Sequence, residues 1–377
     1  MFKRHIAPAA TICLMLFGCS KQQNESLQPT DRIEINKVAQ SPESNKLMAM
    51  KATPDTIINV GCDDCQVNPH AVVWKNLLET FLPSNGKNSS AADVMIVGNN
   101  TYIVGYVGVN AALWTNGVLT LLPNTLGSQS AATGVYVAGT DVYISGWTYT
   151  VGTLARPVYW KNGTQIALAT PGYTGTAVAT AITYLPSVSG SVPVVSGYSD
   201  SKPCYWYNGV LSTVSAYQGA AWDIVVNTNT GTNEFVVVGT ANQQPYAWHF
   251  NTAGSGTGPG YSTYVLPWYV FVTQGIGEAH SICNMNPPTT GSTLFTAGWV
   301  NGEGGVFGDA TTTTGTVVAG GPGVRLYGVA AWQNVSYSSG YNSNSNTETF
   351  ASYWITQNQT VLNHTTNYSR AYGIALK

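Results

Sequence analysis

The sequence predicts an all-β fold, a seven-bladed β-propeller in which strands from the two chain ends complete one blade. Three observations lead to this prediction: a composition that disfavours long helices, a strand-like unit that recurs seven times, and one strand of that unit displaced to the C-terminus. Propellers repeat a four-stranded sheet around a central channel, so a period of this kind is what their sequences show.

Charged residues make up only 8% of the 377 residues, about a third of the usual fraction, whereas 40 residues are glycine and 22 are tyrosine. The aromatic content and the low charge exclude a disordered chain. The formal net charge of −2 argues against a nucleic-acid partner, which would require a basic surface. This composition favours short strands whose polarity comes from neutral side chains.

The first 18 residues have the features of a bacterial lipoprotein signal peptide. Lys3 and Arg4 precede an apolar stretch that is too short to span a bilayer, and this stretch ends in Leu16-Phe17-Gly18-Cys19. The ending resembles the lipobox of bacterial lipoproteins. The resemblance implies that residues 1–18 are removed, that Cys19 is acylated, and that the protein is anchored by lipid in the outer membrane. The alternative is an ordinary signal peptide with an incidental cysteine.

Residues 19–55 are predicted to be a flexible tether, because they combine many charged residues with Pro29, Pro42 and Pro54. Residues 56–377 contain only 20 charged residues. The change in composition places the start of the propeller domain near Thr56.

A strand-like hexamer whose fifth residue is glycine recurs seven times, at 57–62, 101–106, 142–147, 193–198, 235–240, 294–299 and 336–341. One aromatic residue follows each hexamer at a similar distance: Trp74, Trp114, Trp160, Trp206, Trp248, Phe307 and Trp354. Because these aromatics recur once per unit, we interpret them as packing residues between blades rather than as ligand contacts.

A second apolar run precedes every hexamer except the first, and the missing run is found at the C-terminus, in residues 371–376. A linear solenoid would not need to divide one unit between its two ends. A closed ring does, because an open sheet edge leaves backbone groups unpaired. We name the four strands of a blade A to D and expect blade 1 to take strand A from residues 371–376.

Several segments at the end of strand C share one pattern, as in Tyr159-Trp160-Lys161-Asn162-Gly163 and Tyr205-Trp206-Tyr207-Asn208-Gly209. They resemble the YWKNG repeats of bacterial propeller lipoproteins. The A–B strand pair, as in Ala371-Tyr372-Gly373-Ile374-Ala375, is similar to NHL-type propeller repeats. The resemblance covers residues 56–377 and implies the fold, but propellers host many functions.

No catalytic or cofactor signature is present in the sequence: there is no nucleophile elbow, no His-Glu-x-x-His and no phosphate or dinucleotide loop. A Ser–His–acid triad assembled from distant residues stays open, although nothing selects its members. We therefore expect a protein that is not an enzyme and needs no cofactor.

The cysteines predict one disulfide. Cys62 and Cys65 are three residues apart in a loop of blade 1, and in an oxidising compartment they are expected to form a small disulfide. A metal site formed by both cysteines and His70 is the alternative, but zinc normally takes four ligands. Cys204 and Cys283 belong to blades that are not neighbours, so we expect two free, buried thiols.

Strand A lines the channel of a propeller, and the residues on either side of its aligned alanine share one orientation. On one half of the ring these positions hold aromatic and charged residues: Trp222, Glu278, His280, Arg325, Tyr327, Arg370, Tyr372 and Asp93. Four of the domain's 20 charged residues thus fall at equivalent positions. The cluster is either a structural Arg–Glu–Asp network that closes the ring or a ligand pocket.

Three functions fit this cluster. The first is binding of a glycan or another extracellular ligand at the mouth of the channel, with aromatic faces against sugar rings. The second is a scaffold that binds surface proteins through its broad neutral faces. The third is a lyase or hydrolase in which Glu278 or His280 acts as acid or base, although glycoside hydrolysis would require a second carboxylate such as Asp93.

Overall fold

The computed structural model describes residues 54–377, apart from 173, 186–191, 228–233, 252–265, 268–275, 290–291, 301–302, 309–315, 318–322, 333–334, 346–347, 357 and 367. The predicted signal peptide, the predicted acylation site Cys19 and nearly all of the predicted tether lie outside these residues. Within the described part of the chain, no helix has the length and hydrophobicity needed to cross a membrane.

The described strands form seven antiparallel sheets of four strands each, which are the seven blades. Blades 1 to 4 contain β28 (Arg370–Leu376), β1 (Ile57–Asp63), β2 (His70–Lys75), β3 (Leu78–Phe81); β4 (Ser89–Val97), β5 (Asn100–Val107), β6 (Asn110–Thr115), β7 (Val118–Leu121); β8 (Gln129–Ala138), β9 (Asp141–Tyr149), β10 (Arg156–Lys161), β11 (Thr164–Ala167); β12 (Ala177–Leu185), β13 (Val192–Ser199), β14 (Lys202–Tyr207) and β15 (Val210–Thr213).

Blades 5 to 7 follow in the same A to D order. They contain β16 (Gly219–Asn227), β17 (Glu234–Ala241), β18 (Gln244–Asn251), β19 (Leu266–Pro267); β20 (Gly277–Thr289), β21 (Ser292–Val300), β22 (Glu303–Gly308), β23 (Thr316–Val317); β24 (Arg325–Trp332), β25 (Val335–Ser345), β26 (Glu348–Ile355) and β27 (Asn358–Val361). The prediction of a seven-bladed propeller is confirmed.

Blade 1 joins the two ends of the chain, as predicted. The C-terminal strand β28 pairs antiparallel with β1, with Ile58 opposite Ala375 and Val60 opposite Gly373. The backbones of Thr56 and Lys377 extend this pairing by two further hydrogen bonds of 2.9 Å. The apolar edge of β1 is therefore covered by the strand that follows all the other blades in sequence.

The turns between strands C and D have the backbone that the Asn-Gly pairs predict. Asn162 has φ 49° and Gly163 has φ 80°, and the pairs in blades 2 and 4 have nearly the same values. Two successive residues with positive φ define a type I′ turn, whose twist matches that of the flanking strands. These turns place the outer strand D beside strand C in each of the three blades.

The recurring tryptophans on strand C pack between neighbouring blades. Trp74, Trp114, Trp160, Trp206, Trp248 and Trp354 are all fully buried. The Nε1 of Trp114 donates to the Pro83 carbonyl at 2.9 Å, and that of Trp160 donates to the Pro123 carbonyl at 2.7 Å. Each bond reaches the segment after strand D of the preceding blade, so the tryptophans connect successive blades. The side chain of Phe307 lies outside the described residues.

Candidate functional site

Strand A, the inner strand, contains a β-bulge near its N-terminal end in every blade. In each blade the glycine of strand B faces an apolar residue of strand A, and the next residue of strand A is left without a partner in the pairing. A Cβ at Gly298 would lie 2.1 Å from the Glu278 carbonyl oxygen, so this close approach requires glycine. Bulges redirect side chains, and here they present one extra residue per blade.

The seven bulge residues, in the order of blades 1 to 7, are Tyr372, Ala92, Thr133, Thr180, Trp222, His280 and Tyr327. Six of them are the residues that sequence alignment placed there. Blade 2 differs, because Ala91 faces Gly105 and the bulge residue is Ala92, whereas Asp93 pairs with Val104. Two adjacent alanines allowed two alignments, and the spacing favours Ala91, because it lies 14 residues before Gly105 just as Ala132 lies 14 residues before Gly146.

Four aromatic side chains from blades 5, 6, 7 and 1 lie in contact at this end of the channel, and we call them the aromatic arc: Trp222, His280, Tyr327 and Tyr372. The rings of Trp222 and His280 are stacked with centroids 5.3 Å apart and an interplanar angle of 29°. His280 contacts Tyr327 edge-to-face at 4.7 Å, and Tyr327 contacts Tyr372 in the same way at 5.5 Å. The arc therefore follows half of the ring without interruption.

Glu278 and His280 form an ion pair beside the arc. The His280 Nε2 lies 2.6 Å from the Glu278 carboxylate, and both side chains are largely covered. Burial alone would raise the pKa of Glu278, but the hydrogen bond and charge of His280, together with the charge of Arg325, hold it below its usual value. Glu278 is therefore an anion at neutral pH and orients the His280 ring.

The two predicted arginines stack on aromatic rings next to the arc. The guanidinium carbon of Arg325 lies 4.2 Å from the centre of the Trp299 ring, and that of Arg370 lies 4.9 Å from the centre of the Tyr341 ring. Tyr341 in turn contacts Tyr327 of the arc, with centroids 5.9 Å apart. The structure thus brings seven of the eight predicted ligand-binding residues to one end of the channel.

The bulge residues of blades 3 and 4 have a structural role instead. The Thr133 hydroxyl donates to the Ala179 carbonyl at 2.8 Å, and the Thr180 hydroxyl donates to the Ala221 carbonyl at 2.7 Å. Each threonine therefore binds the inner strand of the next blade, and its oxygen is not presented as a separate recognition group. The bulge residues of blades 3 and 4 therefore bind the neighbouring blade, whereas those of blades 5, 6, 7 and 1 form the aromatic arc.

Asp93 lies deeper in the channel than the arc. Its carboxylate accepts hydrogen bonds from the backbone N–H of Val94 at 2.7 Å and of Val135, in the next blade, at 3.0 Å. Asp93 is therefore the one predicted ligand-binding residue that the structure does not bring together with the other seven, and the reason is the register of blade 2. Because Asp93 does not lie with Arg325, Arg370 and Glu278, the Arg–Glu–Asp network proposed from the sequence lacks its aspartate.

A second aspartate, Asp223, occupies the equivalent position in blade 5. It accepts from the Ile282 N–H at 2.9 Å and from the Ser281 hydroxyl at 3.0 Å. Burial raises the pKa of Asp93 to about 6 and, together with the charge of Asp93, that of Asp223 to about 7. Sequence reasoning missed Asp223, although it follows Ala221 by two residues just as Asp93 follows Ala91.

The predicted disulfide lies next to the arc. Cys62 and Cys65 are disulfide-bonded with their Cα atoms 5.5 Å apart, and the Cys62 sulfur lies 3.7 Å from the Tyr372 hydroxyl. The Cys65 N–H donates to the Tyr368 carbonyl at 2.9 Å, so this loop of β1 is bound to the segment that leads into β28. No group of three or more metal-ligating side chains occurs among the described residues.

Cys204 and Cys283 are both free thiols. Cys204 is buried in strand β14, as expected, whereas Cys283 in β20 is only partly buried. Burial raises the pKa of both thiols well above the usual value. Both thiols therefore stay protonated at neutral pH, which disfavours reaction as a thiolate.

No protein-family model matches the chain, and a comparison with curated proteins finds no match. Several solved structures are similar to it, including a designed protein, an extracellular domain and a peptidase. The computationally designed Ika8 protein has a TM-score of 0.44 at 14% identity, over 87% of this chain and 92% of that one. The extracellular domain of a hybrid two-component system from B. thetaiotaomicron has a TM-score of 0.42 at 9% identity, over 75% and 36%.

The third similar structure is a puromycin-hydrolyzing peptidase from Mycobacterium tuberculosis. Its TM-score is 0.49 at 10% identity, over 79% of this chain and 50% of that one. The chain thus spans about a third of the solved extracellular domain and half of the peptidase chain.

Proposed function

We propose that this protein is a lipid-anchored outer-membrane protein that binds a glycan at the aromatic arc. The observation that supports this best is the unbroken series of ring contacts from Trp222 to Tyr372 at one end of the channel. The lipobox-like sequence ending at Cys19 supports the location. We propose a binding protein rather than an enzyme for two reasons. The sequence has no catalytic motif. Among the described residues, the side chain of Glu278 interacts with His280, Arg325 and Trp299, and these partners include no second carboxylate.

The chemistry of the arc suits a saccharide. Trp222, His280 and Tyr327 are partly exposed, whereas Tyr372 is nearly buried and forms the end of the arc. Exposed aromatic faces pack against the C–H surface of a sugar ring, and the hydroxyl groups and ring nitrogens beside them bind its hydroxyls. The ion pair with Glu278 holds the His280 ring in place before the ligand arrives, which reduces the entropy lost on binding.

The proposal is tested on a glycan array with the wild-type protein and the Trp222→Ala variant. We expect wild type to bind at least one saccharide class and Trp222→Ala to lose at least tenfold in affinity, because a stacking face is removed. Phe81→Ala is a matched control, since Phe81 is an exposed aromatic on β3 at the outer edge of blade 1. Absence of saccharide binding by the wild type would overturn the proposal.

A protein-binding scaffold is the second candidate, and the outer strands support it. The first residue of strand D is a largely exposed apolar side chain in three blades: Leu78 at 69%, Val118 at 69% and Val210 at 67% exposure. Protein interaction surfaces use exposed apolar groups, and the recurrence of these side chains on successive blades would let one partner contact several blades. A partner recovered from outer-membrane extracts by Trp222→Ala, but not by Leu78→Asp with Val118→Asp, would favour this function.

A further inference from the structure

Arg370 has a charge that the described residues leave unbalanced. It is the first residue of β28, and its guanidinium group lies among Tyr327, Tyr341 and Tyr372. It shares a hydrogen bond with Tyr372, but no carboxylate of the described residues lies within 4.0 Å of it. Its Nε is buried and has no hydrogen-bond partner among them.

Arg325, the other arginine beside the aromatic arc, has a different environment. Arg325 donates to the Val324 carbonyl at 3.0 Å, and its charge acts on the nearby Glu278 carboxylate. Glu278 already pairs with His280 at 2.6 Å. Arg325 in blade 7 therefore has a carboxylate nearby, whereas Arg370 in blade 1 is surrounded by neutral tyrosine side chains.

The groups around Arg370 are tyrosine hydroxyls, which can accept a hydrogen bond from the guanidinium group but carry no negative charge. A guanidinium group donates only, and the tyrosine hydroxyls can donate as well. Burial raises the pKa of Tyr327 well above its usual value, so its hydroxyl keeps its proton at neutral pH. A largely covered positive charge is costly unless an anion neutralises it, and a planar carboxylate matches the guanidinium geometry.

We propose that the ligand of the aromatic arc is an acidic sugar whose carboxylate is bound by Arg370 and the tyrosine hydroxyls around it. This inference rests on the proposed function. Tyr372 and Tyr327 belong both to the arc and to the surroundings of Arg370. A sugar ring stacked on the arc therefore brings a carboxyl substituent on that ring close to the guanidinium group, which is the arrangement of a uronic or sialic acid residue.

The test is an array of matched saccharides, each present as the free acid, as its methyl ester and as a sulfated form, read with the full chain. We expect the free acid to bind at least about tenfold more tightly than the ester, because a charge-assisted hydrogen bond is lost on esterification. Added salt should weaken binding of the acid and leave binding of the ester nearly unchanged.

Arg370→Gln separates this inference from the proposed function. The variant should bind acid and ester with nearly equal affinity, and the readout is the ratio of these two affinities within the variant compared with the same ratio in wild type. Arg156→Gln is the matched control, because Arg156 is an exposed arginine at the start of β10. If Arg370→Gln fails to fold, Arg370→Lys and the salt dependence of the wild type replace it, with a reduced preference for the acid expected in Arg370→Lys.

Each outcome distinguishes the two proposals. Equal binding of acid and ester by the wild type, or tighter binding of the sulfated forms, would overturn the inference while saccharide binding at the arc stands. An acid preference that survives in Arg370→Gln would also overturn it. No binding of any saccharide would overturn the proposed function and the inference together.

Discussion

At the scale of single residues, the identity of the bulge residue decides what each blade contributes. The same backbone position holds a threonine that binds the next blade in blades 3 and 4 and a ring that joins the aromatic arc in blades 5, 6, 7 and 1. The sequence could predict this division, because each bulge residue follows the residue opposite a recurring glycine. Blade 2 was aligned one residue too far along the chain, although Ala91 precedes Gly105 by the same 14 residues that separate Ala132 from Gly146.

The two channel aspartates predict how stability depends on pH. Their folded-state pKa values of about 6 and about 7 exceed the value near 3.9 of an unfolded aspartate. The folded state thus binds more protons between about pH 4 and pH 7, and stability falls as the pH rises through this window. We expect a lower melting temperature at pH 8 than at pH 5. Glu79 acts in the same direction, because burial and the charge of Asp63 raise its pKa to about 7.

Asp223→Asn isolates the contribution of the channel. This variant keeps an oxygen for the Ile282 N–H but has no charge to bury, so its melting temperature should change less between pH 5 and pH 8 than that of wild type. A wild-type melting temperature that rises from pH 5 to pH 8 would contradict the assignment. The mutual effect of Asp93 and Asp223 could not be anticipated from sequence, since the two are 130 positions apart in the chain.

The cysteines make a prediction that mass spectrometry can check. Alkylation of the unfolded but unreduced protein should label Cys204 and Cys283, because both are free thiols that unfolding exposes. Cys62 and Cys65 should stay unlabelled until a reductant is added. Alkylation of Cys62 before reduction would contradict the disulfide with Cys65. Failure to alkylate Cys204 would contradict its assignment as a free thiol.

At the scale of strands, the inner strands pack closely, and a small residue follows the bulge in five of the seven blades. A Cβ at Gly328 would lie 2.8 Å from the Tyr372 carbonyl oxygen and 2.5 Å from the Ser339 hydroxyl. The hexamers and their order were predictable from the recurring glycines. The bulges themselves were not, because the alternation of side chains along a strand does not show which residue is left unpaired.

Gly328→Ala should therefore affect both stability and the arc. We expect a loss of about 1–3 kcal/mol from the added methyl group, together with weaker saccharide binding, because the backbone of Tyr372 must move. Gly86→Ala is the control, since nothing lies within 4 Å of its Cβ and the cost comes only from its φ of +71°. Its binding should match wild type. Unchanged binding by Gly328→Ala would show that Tyr372 is not held by this contact.

At the scale of the whole molecule, closure of the ring and assembly of the candidate site both depend on the pairing of β28 with β1. Strand β28 completes blade 1, and it also carries Arg370 and Tyr372 at the end of the aromatic arc. The number of repeat units predicted this closure from sequence alone, because seven glycine hexamers were matched by only six preceding A strands. What the sequence could not supply was the contact between the Cys62–Cys65 loop and Tyr372, which are about 310 residues apart.

Thermal unfolding of a chain that lacks residues 369–377 tests the account most directly. Without β28, the apolar strand β1 loses its partner, so we expect the melting temperature of the whole ring to fall sharply. Deletion of residues 20–54, the predicted tether, is the matched control and should leave the melting temperature nearly unchanged. A C-terminal deletion that melts like the intact chain would contradict the closed ring, and with it the aromatic arc that the ring assembles.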